Sequence, residues 1–212
     1  MPVSGVLECL FNYWERLPRT GVDSLPIRAA LNSVELLELL PRVALLKRVD
    51  RYNVQASMMN LSDTSLWQRP FVGMNAFDLT APEVRESRAK FYEAVLDQPA
   101  AAHLKETIQQ KDGVQATVKS LYLPLADGRG QATYIMACTV YDNTVHNNNI
   151  NDRLVLDHQD VKELEFIDIG NGIPIMQFER PEPRAAEDND LNWWQRIMPG
   201  RYKPVYTTRL DS

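Results

Sequence analysis

The sequence predicts an α+β domain built on a curled antiparallel sheet. Three observations carry this. Val114 to Asp142 reads as two long runs of β-branched and aromatic residues around a turn at Asp127-Gly128. Arg42 to Met59 reads as a second, shorter hairpin. Between them, Thr80-Ala-Pro-Glu83 opens a long helical pattern. Runs of strands on both sides of a helical insert indicate α+β organisation.

The elements follow in order. Ser4 is placed to cap a first helix whose Val6, Leu7, Leu10, Phe11, Trp14 and Leu17 form one apolar stripe, and Pro18 and Gly21 stop it. Leu25-Pro26-Ile27-Arg28 is an ordered loop. Asn32 caps a short second helix, with Glu35 completing a capping box, Leu36, Leu37, Leu39 and Leu40 supplying its apolar face, and Pro41 ending it. From Arg42 to Val49 the pattern alternates, with Val43, Leu45, Lys47 and Val49 on one side and Ala44 and Leu46 on the other. A tight turn at Asp50-Arg51 leads to a strand from Tyr52 to Met59. Leu61 to Phe77 is irregular, with a helical turn expected around Leu66 and Trp67.

The helix begun at Thr80 is expected to run to Asp97, burying Val84, Phe91, Ala94 and Val95. Pro99 stops it, His103 to Gln110 forms a strand, and the 114–142 hairpin completes the sheet. Composition shifts at Asn143. Leu154 to Phe178 holds two strand-like runs around Ile169-Gly-Asn-Gly172, a hairpin signal. Arg180 to Asp190 is a charged, proline-containing linker, and Leu191 to Met198 restores apolar character. Three parts result: an N-terminal helical segment (1–41), a core (42–142), and a C-terminal extension with a hairpin and a Trp-rich end (143–212).

The 212 residues are 44% hydrophobic and 24% charged, as in soluble globular proteins. A net charge of -5 argues against a general nucleic-acid-binding surface. The apolar runs fall short of a membrane span, and the N-terminus has no basic region of the secretory kind, so a cytoplasmic protein is expected. Cys9 and Cys138 lie far apart and read as two reduced, buried thiols, with a structural disulfide between them the less favoured reading.

Several local motifs, taken in their order, resemble the single-domain PAS family common in alphaproteobacteria. They are Tyr13-Trp14, Leu25-Pro26-Ile27-Arg28, Leu39-Leu40-Pro41, Gly73 ahead of the long helix, and Leu121-Tyr-Leu-Pro-Leu125. The resemblance spans roughly residues 6 to 142. It implies a five-stranded antiparallel sheet in the order 2-1-5-4-3 with helices on one face. It also implies a stand-alone bacterial sensory or interaction module without catalysis. The stretch between Met58 and Phe77 departs from the family, and the residues after Asp142 have no counterpart in it.

PAS domains hold ligands between sheet and helices. The inward candidates here are Val54, Ala56, Met58, Trp67, Phe91, Tyr134 and Met136. Aromatics and methionines at such positions are more often plain core than a cofactor box. No cofactor is expected. Haem would need a histidine on the long helix, and none lies between Thr80 and Gln98. Flavin photochemistry would need a cysteine in the helical insert, and residues 60 to 98 have none. His103 is expected to be exposed on its strand. His146 and His158 fit no tight metal-ligand pattern, and Asp127-Gly-Arg-Gly130 connects two strands, so it reads as a turn and not a phosphate cradle. No hydrolase, zinc-protease or nucleotide-binding signature is present.

Without a kinase, cyclase or DNA-binding element, output is expected to pass through a protein partner or self-association, with a small-molecule ligand possible. The candidate partner contacts are Trp193, Trp194, Arg196, Ile197 and Met198, since Trp and Arg are favoured as interface anchors. The alternative is an assembly scaffold that keeps a ligand-free PAS-like fold.

Overall fold

A computed structural model describes residues 3–19, 24–32, 34–36, 39, 42–59, 73–110, 115–141, 156–176 and 204–205. Helix α1 spans Val3–Arg16 and helix α2 spans Arg85–Asp97. The strands are β1 (Val43–Asp50), β2 (Asn53–Met59), β3 (Ala101–Gln110), β4 (Gln115–Ala126), β5 (Ala132–Tyr141), β6 (Leu156–Ile167) and β7 (Pro204–Val205). They form one sheet in the order β2-β1-β5-β4-β3-β6-β7, and every neighbouring pair is antiparallel. The first five strands stand in the expected 2-1-5-4-3 arrangement, and β6 and β7 continue the sheet beyond β3.

The two helices cover opposite faces. The α1 stripe of Val6, Leu7, Leu10, Phe11 and Trp14 shares a core with Val43, Leu45, Leu121, Leu123, Met136, Cys138 and Ile167. On the other face, Phe91, Tyr92, Val95 and Leu96 of α2 pack with Leu46, Val54, Ala56, Leu104, Tyr122, Ile135 and Phe166. Strand alternation makes this possible, since successive side chains point to opposite faces. Trp14 is fully buried, and its indole Nε1–H donates to the Pro124 carbonyl at 2.8 Å, fixing α1 over β4.

The β4–β5 turn is built by Asp127. Its Oδ1 accepts from the Arg129 and Gln131 amides at 2.8 and 3.0 Å, and Gly130 takes φ +81°, a conformation open to glycine at no steric cost. A bulge at Ser57 shifts the β1–β2 register between Leu45 and Leu46, and the Ser57 hydroxyl donates to the Leu45 carbonyl at 3.1 Å.

Three expectations need correction. Thr80 does not cap α2: its hydroxyl donates to Ala76 O, Pro82–Val84 forms a 3-10 turn, and the α-helix starts at Arg85. The amide of Ala81 is taken instead by the Gln159 side chain of β6 at 3.1 Å. The hairpin expected around Ile169-Gly-Asn-Gly172 is not one. Its first arm is the single long strand β6, paired with β3 from Ala101↔Ile167 to Gln110↔Leu156. Asp168 Oδ1 then accepts from the Gly170 and Gly172 amides, and residues 173–176 leave the sheet plane toward α2. Pro174 has no amide hydrogen to give to a returning ladder. Finally, His103 is buried rather than exposed, since β3 is an inner strand flanked by β4 and β6 and not an edge.

Candidate functional site

The site sits where α2 crosses the sheet. Val84, in the turn just ahead of α2, and Arg88, Phe91 and Val95 within it fall on one side at helical spacing, so a charged residue lies in an otherwise apolar stripe. Arg88 is buried, and its Nη2 makes a short ion pair with Oε1 of Glu106 on β3, which is equally buried. Arg88 Nη1 reaches the Tyr122 hydroxyl at 3.4 Å, and the guanidinium carbon lies 5.7 Å from the Phe91 ring centroid. Phe91 meets Tyr122 edge-on at 4.8 Å, and Tyr92 meets Phe77 in the same manner at 5.8 Å.

The electrostatics follow from burial. Desolvation works to lower the Arg88 pKa, but Glu106 and the two tyrosines outweigh it and hold the guanidinium above its ordinary value. Burial pushes the Tyr92 and Tyr122 hydroxyls up, against the opposing pull of Arg88. These three groups therefore stay protonated near neutral pH and offer no general base. The space left among Val84, Ser87, Arg88, Phe91, Leu104, Glu106 and Val161 is a cavity of about 10 Å³. That is about one water molecule, far below the several hundred Å³ of an organic-ligand pocket.

The sequence-derived pocket residues divide. Val54, Ala56 and Phe91 meet on the α2 face. Met136 is in the α1 core, and Tyr134 packs against that same core under Arg28, 5.2 Å from the guanidinium carbon. The placement of Tyr134 and Met136 in one pocket with Phe91 is thus corrected by strand parity: their neighbours Ile135 and Ala137 face α2 instead. Met58 lies in β2 opposite Leu45. Trp67 and the partner candidates Trp193, Trp194, Arg196, Ile197 and Met198 lie outside the described residues.

Sequence reasoning missed Arg88, Glu106 and Tyr122. The signal was present, since Arg88 shares the stripe of Val84, Phe91 and Val95, and Glu106 shares the parity of Ala102 and Leu104. Among the described residues there is no cluster of three or more His, Cys, Asp or Glu fit to hold a metal, and no helix long and apolar enough to cross a membrane.

Comparison with known proteins bears on the whole fold. The PAS domain family profile matches residues 4–140. The chain belongs to the PAS domain family. Domains of this family are generally sensory and interaction modules rather than catalysts. The matched stretch covers α1 through β5, so β6 and β7 lie outside it. No curated protein matches the chain. A solved chain from the Vibrio cholera VqmA–ligand–DNA complex aligns at 12% identity and TM-score 0.35, over 51% of this chain and 50% of that one. The PAS chain described here therefore spans half the length of that solved chain, and the likeness is too slight to carry an argument.

Proposed function

We propose that the protein is a PAS sensory or protein-interaction module without catalytic activity, signalling through a partner or through self-association. Family membership supports the class of function. The observation that bears most on mechanism is the α2 face. The protein's own Arg88–Glu106 pair and a ring of aromatics fill the volume between helix and sheet, leaving room for about one water. This favours output through surfaces over capture of an organic cofactor, and no cofactor is assigned. Val54, Ala56 and Phe91 remain the inward residues around which a small ligand would have to open the fold. We place the protein in the cytoplasm and assign partner contact to Trp193, Trp194, Arg196, Ile197 and Met198, a concentration of anchor-type residues after a charged linker.

The same filled face supports a second reading, a structural or assembly scaffold that keeps the fold without sensing. Native mass spectrometry of the full chain separates the two. A partner complex or oligomer with no co-purifying small molecule is expected. A stoichiometric organic ligand would overturn the filled-core mechanism. A monomer that captures neither partner nor copy, yet turns over a substrate, would overturn the function.

A further inference from the structure

The attachment of β6 to the PAS sheet carries a titratable pair that the α2-face chemistry does not use. On the face covered by α1, β3 and β6 set two polar pairs in register: Lys105 opposite Glu163, and His103 opposite Glu165. Directly opposed residues on one face of an antiparallel pair have Cβ atoms about 5 Å apart. The Lys105–Glu163 pair is a partly exposed ion pair at 3.0 Å. The His103–Glu165 pair is deeper, with residue exposures of 5% and 8%, and Glu165 Oε1 has no hydrogen-bond partner among the described residues. A bare carboxylate in that position would be costly.

We propose that His103 and Glu165 together retain one proton in the folded sheet, forming a pH-dependent latch that fastens β6 to β3. The burial supports this, and so does the lift on the Glu165 carboxyl, held up to about 7 by desolvation and then by Glu163. Among the described residues, charged groups beside the pair are Lys105 on β3, Lys119 on β4 opposite Lys105, and Glu163 on β6. Leu121 of β4 lies directly beside His103, and Cys138 stands one strand further on. Tyr13, Cys9 and Tyr134 are further titratable side chains in or against the α1-face core.

The sign follows from proton counting. When β6 detaches, solvated imidazole and carboxyl groups titrate near 6.5 and 4.3, so the open strand gives up its last proton at about pH 6.5. The closed pair holds that proton to higher pH, as coupled sites do, because losing it strands a buried carboxylate beside a neutral imidazole. The closed form therefore binds more protons above about pH 6.5, and rising pH favours opening.

The test is hydrogen–deuterium exchange of the full chain at pH 6 and pH 8, corrected for intrinsic exchange. The opening equilibrium read from residues 101–110 and 156–167 should rise about fivefold, while residues 43–59 stay unchanged. In Glu165→Gln the rise should vanish or reverse, since the pair can no longer share a proton. In His103→Asn the weakening should begin at lower pH, because the carboxyl alone must hold the proton. No rise in the wild-type protein, an equal rise in residues 43–59, or an undiminished rise in Glu165→Gln would overturn the latch.

Discussion

Removing one partner of the Arg88–Glu106 pair gives the sharpest test of how the α2 face is held. Both side chains are buried, at 7% and 5% exposure, so neither charge can turn to water when its partner is lost. Glu106→Leu leaves a buried guanidinium with the long Tyr122 contact at 3.4 Å and the Phe91 ring, but no counter-charge among its described contacts. Arg88→Met leaves a buried carboxylate. Each single change should cost about 3–5 kcal/mol, the usual penalty for an uncompensated buried charge. The double variant Arg88→Met/Glu106→Leu removes both charges and fills the space with apolar atoms. It should be close to wild type, or more stable by about 1–4 kcal/mol. Urea unfolding followed by circular dichroism on the four proteins closes a double-mutant cycle. The signature is a double variant far more stable than either single one. Single variants that each lose less than about 1 kcal/mol would show that the pair is hydrated. A double variant as unstable as the sum of the singles would show that Arg88 and Glu106 act separately. Either outcome refutes the reasoning.

Trp14→Ala should cost about 3–5 kcal/mol in the same assay, since the ring is fully buried. Trp14→Phe should cost about 1–3 kcal/mol, because the Pro124 carbonyl loses its 2.8 Å donor. Gly130→Ala should cost about 1–2 kcal/mol for its φ of +81°, whereas Gly128→Ala, in open space and without positive φ, should be neutral or slightly stabilising; thermal unfolding of both reads the difference. The Cys138 thiol is buried and pushed up to about 12 by desolvation, so at pH 8 it should react with a thiol reagent only after unfolding, while half-buried Cys9 reacts in the native protein. Mass mapping of the labelled peptides checks this.

The first five strands and the long helix were legible in the sequence, the strands from runs of β-branched, aromatic and alternating residues and the helix from its start signal and spacing. The order of the first five strands came from resemblance to the PAS family, and the sheet confirms it. What stayed hidden were features set by contacts distant in sequence. Ahead of α2, the Ala81 amide is taken by Gln159, seventy-eight positions away in the sequence. Asp168 holds the Gly170 and Gly172 amides in the Ile169–Gly172 turn, and residues 174–176 then line the groove beside α2 instead of returning along β6.

The division of the pocket candidates shows why parity was the hardest thing to read. A sheet covered on one face alternates apolar and polar residues, and the alternation tells which side is inward. Here α1 and α2 bury both faces of the central strands. Leu121 through Ala126 and Ile135 through Cys138 are therefore buried at every position. In such a run the sequence says that a residue is inside but not which core it enters. The face is fixed only by register: Leu45↔Met136 places Met136 with α1, and Leu46↔Ile135 places Ile135 with α2. At the sheet's far side the opposite holds. His103-Leu-Lys105 against Glu163-Leu-Glu165 alternates polar with apolar, yet His103 and Glu165 on the polar side are buried, so the alternation there points to the wrong exposure. The register of β6 on β3, which sets Lys105 opposite Glu163 and His103 opposite Glu165, decides that exposure.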